Sequence, residues 1–299
     1  MFRKAGEVIE ECEKRGLHIK DLVLEEELKS SQINKDDILY NLTQMFKVME
    51  ESATGNLTHE TKTAMGMIDG FAKKMNAYSK EGKSITGSFV TEAMAMAFST
   101  LEISAAMGEI VASPTAGSSG ILPAILYSLK KREGFSDEKI VDAMLTAIGI
   151  GKIIGYYGSF AGAEGGCQAE TGSGAAMGAA AACYLYDQSP EVCFHAASFA
   201  FLHVLGLVCD PIAGLVEYPC TFRNASGVVN AFISADMAMA GITSIVPFDE
   251  VCKAAGEVGA TLPEALRETG IGGIAGTETG RKIRKKFFAL GNDSTKENK

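Results

Sequence analysis

Three cysteines stand in settings that suit ligation better than packing. Cys209 ends an apolar run, Phe199 to Val208, and is followed by Asp210-Pro211, a pair that turns the chain out of a helix. Cys220 follows Pro219 and lies a few residues after Gly214, so both ends of this loop carry a thiol on backbone not expected to be regular helix. Cys167 leaves a glycine-rich stretch at Gly165-Gly166. Such loops can aim sulfurs at one centre. A structural zinc site gathers its ligands in close pairs, and no Cys-x-x-Cys or His-x-x-x-His pair occurs here. Soft thiolates also suit an iron–sulfur cluster. Three of them on four irons would leave one iron without protein sulfur, able to take a substrate oxygen as a Lewis acid.

A second chemical segment is Ser113-Pro114-Thr115-Ala116-Gly117-Ser118-Ser119-Gly120, which runs into Ile121-Leu122-Pro123. A loop rich in hydroxyls and glycine that opens a helix offers free N–H groups and a favourable dipole to an anion. It lacks the Gly-Lys-Ser/Thr ending of a phosphate loop, so a carboxylate held by Ser113, Thr115, Ser118 or Ser119 is the expected ligand. The plainer reading is a capped helix with an ordinary turn. His203 lies six residues before Cys209 and is a candidate base, although a histidine on an apolar helix face is commonly a hydrogen-bonded core residue. His18 and His59 stand in polar surroundings and read as surface residues. Cys183 and Cys193 read as core.

The elements that must position these groups are helical throughout. Residues 1–50 repeat apolar positions at helical spacing between Glu and Lys. Further helices are expected over 60–78, 91–111, 140–154, 191–208, 223–245 and 249–258. The stretch 175–183 is almost all alanine and glycine, which lets another backbone approach closely. No sustained alternation with β-branched residues appears. The fold class expected is all-α: one large helical domain, with small-residue-rich central helices and functional loops. The chain divides into a helical N-terminal segment, 1–59, a catalytic body, 60–290, and a polar tail, 291–299.

Composition narrows the function. The 299 residues are 46% hydrophobic and 22% charged, the balance of a folded globular chain. A net charge of -9 argues against a nucleic-acid surface, and the basic cluster Arg281 to Lys286 reads as a solvated helix face. Seven cysteines, with no signal-peptide pattern, disfavour a disulfide framework and point to a cytoplasmic protein. The apolar runs are short or interrupted by Lys152 and His203, so no membrane span is expected.

The 113–120 loop, Gly165-Gly166-Cys167-Gln168-Ala169-Glu170, the whole 209–220 loop with Arg223-Asn224-Ala225, Leu266-Arg267-Glu268-Thr269 and Gly272-Gly273-Ile274-Ala275 closely resemble the α chain of bacterial iron–sulfur-dependent L-serine dehydratases. The resemblance runs over nearly the whole chain. It implies an all-helical catalytic domain holding a [4Fe-4S] cluster through Cys167, Cys209 and Cys220, and conversion of L-serine to pyruvate and ammonia without pyridoxal phosphate. The chain also shows no lysine in a glycine-rich phosphate context of the kind that cofactor needs. Single-chain members of the family carry a Ser-Ser-His-Thr segment whose histidine is a candidate base. No Ser-Ser-His occurs here, so the resemblance implies that a small β chain completes the site. Two rival readings are a related iron–sulfur lyase on L-threonine or L-cysteine, and a non-catalytic cluster-binding partner protein.

Overall fold

In a computed structural model, which describes residues 3–294, thirteen α-helices and no named strand occur among the described residues. The first three are amphipathic. Helices α1 (Ala5–Arg15), α2 (Ile19–Ser30) and α3 (Lys35–Thr54) bury Val8, Cys12, Leu22, Val23, Leu42, Phe46 and Met49 and leave their Glu and Lys side chains outside. Gly16, at φ 64°, ends α1 in the left-handed conformation that glycine adopts at low cost. Asn34 caps α3 by accepting from the Asp37 amide at 2.9 Å.

After a long turn come α4 (Phe71–Ser79), α5 (Gly87–Ala105), α6 (Ile121–Glu133), α7 (Asp137–Tyr157) and the single turn α8 (Gly162–Gly165). A π-turn over Gln168–Gly172 leads into α9 (Ser173–Leu185), followed by α10 (Pro190–Leu202), α11 (Cys220–Met239), α12 (Phe248–Thr261) and α13 (Glu278–Ser294).

Helix α9 is the axis of the molecule. Nearly every residue is buried, and it packs against α6, α7, α10 and α11 at once. Its alanines and glycines make this possible. A methyl at Gly178 would come within 2.3 Å of Ile125 Cδ1, and one at Gly174 within 3.1 Å of Ile121 Cδ1. One apolar cluster runs from α1–α3 through this centre to Phe248, Val251 and Ala255 of α12. Among the described residues α7 alone is long and apolar enough to cross a membrane; its Ile140, Met144, Ala147, Ile150 and Ile154 are buried in that core.

Several expected boundaries move, each for a local reason. The helix expected over 60–78 exists only from Phe71, because 60–70 is a turn with Gly66 and Gly70 at positive φ, and the amides of Met65 and Met67 are taken by a buried carboxylate described below. The helix expected to reach Val208 stops at Leu202, and Gly206 at φ 85° reverses the chain. Cys220 is not on irregular backbone: it is the first residue of α11, entered through a cis Tyr218-Pro219 bond. Helix α13 carries Arg281 to Lys286 and continues into the expected tail as far as Ser294, while 295–299 lie outside the described residues. His59 is exposed, as expected. His18 is not a surface residue: it is half-buried edge-on to Tyr184, with Nε2 3.1 Å from the Gln188 carbonyl.

Candidate active site

Cys209 is held between two backbone bonds. Its N–H donates to the Leu266 carbonyl at 2.9 Å and its carbonyl accepts from the Glu268 amide at 2.6 Å, a single rung of parallel pairing with the segment that carries Arg267. Cys167 sits where Gly166, at φ 75°, turns the chain. A side chain at 166 would meet the Leu207 carbonyl at 2.7 Å. The next residue, Gln168, is a buried clamp: its Nε2 donates to the Ala255 carbonyl at 2.8 Å and its Oε1 accepts from the Gly206 amide at 2.8 Å. Cys220 is fixed through Asn224 one helical turn on. The Asn224 amide group donates to the carbonyls of Cys220 at 2.9 Å and Gly117 at 2.7 Å, and its oxygen accepts from the Gly120 amide at 3.0 Å.

One side chain therefore ties the third thiol to the hydroxyl loop. All three cysteines are free and buried. The Cys167 and Cys209 thiols are close enough to interact, which holds Cys167 below the usual thiol range and Cys209 above it, with the Arg223 guanidinium also favouring the Cys167 thiolate. Burial pushes Cys220 up.

Glu170 closes the group. Its Oε2 lies 3.8 Å from the Cys209 sulfur, and its Oε1 accepts from the Thr115 hydroxyl at 2.9 Å. Burial raises its carboxyl to about 7, partly offset by the Thr115 bond. Two glycines make room for it: a Cβ at Gly117 would be 2.5 Å from Glu170 Oε1, and one at Gly162 would be 2.8 Å from both Glu170 Oε2 and the Cys209 sulfur. The glycines form a cradle that any other residue would fill.

The hydroxyl loop folds onto itself before it meets a ligand. Ser118 Oγ lies 3.2 Å from Thr115 Oγ1 and closes the turn 116–118, and Ser119 Oγ donates to the Ala116 carbonyl at 2.8 Å. Ser113 Oγ is buried with no hydrogen-bond partner. Thr115 presents its hydroxyl to a carboxylate, and that carboxylate is the chain's own Glu170. His203 stands just beyond α10, exposed on a cavity of about 400 Å³ that it shares with Thr171, Arg223 and Ser226. Thr171 Oγ1 is 3.8 Å from the Cys167 sulfur, so this cavity adjoins the thiol group.

Four polar residues that carried no assigned role in the sequence support these loops. Asp210 Oδ1 accepts from Arg223 at 2.6 Å and its Oδ2 from the Ile274 amide at 2.6 Å. Glu217 is the carboxylate that organises the 60–70 turn, accepting from Thr63 Oγ1 at 3.0 Å and from the amides of Met65 at 2.7 Å and Met67 at 3.2 Å. The available signal was an acidic or basic residue inside an otherwise apolar or glycine-rich motif, as at Glu170, Asp210, Glu217 and Arg223. Such a residue is rarely buried without a partner.

Whether these residues suit a cluster can be judged from the donors. Among the described residues no three ligand-type side chains converge on a single metal ion. The thiols are soft donors of the kind an iron–sulfur cluster takes. Buried polar atoms without hydrogen-bond partners also gather on the site's segments: Ser113 Oγ, Ser173 Oγ, Thr221 Oγ1, Arg223 Nη1 and Arg267 Nε. Soft donors, a glycine cradle and unpaired donors fit an anionic sulfur cluster with a polar substrate beside it.

Comparison with known proteins follows the same residues. The family model described as serine dehydratase alpha chain matches residues 14–275. The chain is 57% identical over 291 residues to the L-serine dehydratase alpha chain of Peptoniphilus asaccharolyticus, covering 97% of this chain and 100% of that one. It is 42% identical over 297 residues to the probable L-serine dehydratase alpha chain of Bacillus subtilis, with 99% of each covered. Against the L-serine dehydratase of Streptomyces coelicolor it is 34% identical over 92% of its own length but spans 60% of that relative. The matched region includes all three thiol segments and the loops that hold them, and on that extent of agreement the chain belongs to the serine dehydratase alpha chain family.

Proposed function

We propose that the chain is the α subunit of an L-serine dehydratase, eliminating water from L-serine to give pyruvate and ammonia. The relatives' names support the reaction, and one observation supports the site: the buried Cys209 sulfur lies 3.8 Å from Glu170, which the Thr115 hydroxyl ties to the hydroxyl loop, while Asn224 ties the buried Cys220 segment to that same loop. Cys167, Cys209 and Cys220 are the residues that would hold a [4Fe-4S] cluster. Bound there, the cluster supplies a Lewis-acidic iron for the substrate hydroxyl, a poor leaving group by itself.

The remaining work falls to the protein. The substrate carboxylate would lie along the 113–120 loop, near Ser113, whose hydroxyl is unpaired, and Thr115, with Ser118 and Ser119 holding the turn. Arg223 supplies positive charge at the thiols and is itself aligned by Asp210. The Cα proton requires a base. His203 is the candidate this chain carries, and a histidine on a β chain is the other; the alpha-chain names of the Peptoniphilus and Bacillus relatives support a second polypeptide. The aminoacrylate formed by loss of the proton and hydroxide tautomerises to an imine, and water then releases ammonia and pyruvate. The enzyme would work in the cytoplasm on a free amino acid, with L-threonine and L-cysteine as the competing substrates, since a methyl group or a sulfur changes pocket affinity by only a few kcal/mol.

Anaerobic reconstitution with iron and sulfide, followed by a pyruvate assay on L-serine, tests this reading. Cys167→Ala, Cys209→Ala and Cys220→Ala should each lower bound iron and abolish pyruvate formation. Full iron content and turnover in all three would overturn it.

A further inference from the structure

The contacts of His203 define its tautomer. Its Nδ1 lies 2.5 Å from Asn230 Oδ1, and which end of the Asn230 amide faces the ring is settled by the other bonds Asn230 makes. Asn230 Nδ2 donates to the Ala200 carbonyl at 2.8 Å, a partner that only accepts, so the oxygen is the atom turned to the imidazole. Ser234 Oγ, 3.2 Å away, donates to the same oxygen. Asn230 is buried on α11, and its amide is anchored at both ends before the histidine is considered. An oxygen cannot donate, so the proton of the short contact belongs to His203 Nδ1. In the neutral ring Nε2 is then unprotonated. The Nδ1 edge faces Asn230, and Asn230 does not line the cavity, so the opposite edge of the ring is the one on the cavity shared with Thr171, Arg223 and Ser226.

We propose that Asn230 is a positioning residue for His203: it holds the imidazole as the Nδ1–H tautomer and presents Nε2 as a proton acceptor to the cavity beside Cys167. The role resembles that of the carboxylate or carbonyl that orients a catalytic or ligating histidine through its second nitrogen. This inference rests on the reading of His203 as the proton acceptor. It adds a specific assignment to α11, whose first two turns carry Cys220, Arg223 and Asn224 and whose third turn would set the base.

The test uses the full-length chain labelled with ¹⁵N-histidine and kept free of iron, so that no paramagnetic broadening intrudes. His203, assigned by the signals lost in His203→Gln, should show a protonated Nδ1 and an unprotonated Nε2 in the neutral ring. Asn230→Ala should lose that pattern, and after reconstitution its kcat should fall about tenfold to a hundredfold with KM little changed. Asn230→Asp keeps an acceptor and should restore the tautomer. A proton on Nε2 in the native chain, or an unchanged tautomer in Asn230→Ala, would overturn the assignment, and the native spectrum decides even if a variant fails to fold. Should His203→Gln retain full turnover while the native ring shows Nδ1–H, His203 is not the base and the tautomer assignment stands on its own.

Discussion

Two buried carboxylates show how differently one residue type behaves in this fold. Glu217 is matched by the Thr63 hydroxyl and the amides of Met65 and Met67, so it is both buried and satisfied. Glu217→Ala removes the common acceptor of three donors. Unpaired buried groups cost about 1–3 kcal/mol each, and partial access to water in the 60–70 turn brings the expected loss to about 3 kcal/mol in urea unfolding. Glu217→Gln should cost about half of that. Glu102 is the opposite case. Its Oε1 accepts from the Ala72 amide at 2.9 Å but its Oε2 has no partner, and burial raises its carboxyl to about 7. The folded state therefore keeps a proton that the unfolded chain releases near 4.5. Stability contributed by the neutral form is fully present below pH 4.5, declines as pH rises towards 7 and is gone above it. Glu102→Gln should flatten this dependence and gain on the order of 2 kcal/mol on the native chain at pH 8 relative to pH 4.5, read from denaturant midpoints at the two values. An equal pH slope in both proteins would refute the assignment. Neither carboxylate could be assigned from sequence, because burial and partner are properties of distant segments: Glu217 meets residues some 150 positions away.

Helices were legible where one face is polar. The 1–50 pattern yields α1–α3 because apolar residues recur on a single stripe, and the 175–183 run announced the close approach that α9 makes to its neighbours. What failed were ends set by tertiary contacts. Residues 60–70 have respectable helical residues, yet the amides of Met65 and Met67 go to Glu217, that of Thr63 to Asp69 and that of Ala64 to the Ala105 carbonyl. The run to Val208 is apolar enough to continue as helix, but Gln168 captures the Gly206 amide and the chain turns. Glycine within helices makes the same distinction testable. Gly259 of α12 faces backbone: a methyl there would stand 2.8 Å from Gly165 Cα and 3.1 Å from Gln168 Nε2, directly behind Cys167. Helix propensity favours alanine by about 1 kcal/mol, but backbone cannot yield as a side-chain tip can, so overpacking of about 1–3 kcal/mol should win. Gly259→Ala is expected to lower the melting temperature and weaken iron retention. Gly6→Ala on α1 has nothing within 4 Å of the new methyl and should be neutral or slightly stabilising, which makes it the control. If both substitutions behaved alike in thermal unfolding, the close contact between α8 and α12 would not be what constrains position 259.

At the scale of the molecule, the thiol site is built entirely within this chain, but the acid–base side is open. Cys167, Cys209, Cys220, Glu170 and Arg223 are enclosed by loops that brace one another through Gln168, Asn224 and Asp210, so on the proposed reading the cluster should assemble on this polypeptide by itself. His203, in contrast, is exposed on a cavity that is also lined by the exposed Leu205. The Peptoniphilus and Bacillus relatives, matched over nearly their whole length, are named as alpha chains, which implies a partner subunit. Iron binding and turnover should accordingly come apart. Loaded anaerobically by itself, the chain should bind iron to the level seen with its second subunit, yet form pyruvate at least about tenfold more slowly, the smaller end of what one general base contributes. Adding the separately purified second subunit should restore the rate without changing iron content. Equal rates with and without it would mean that His203 suffices as the base, and the tautomer set by Asn230 would then carry the whole of proton abstraction.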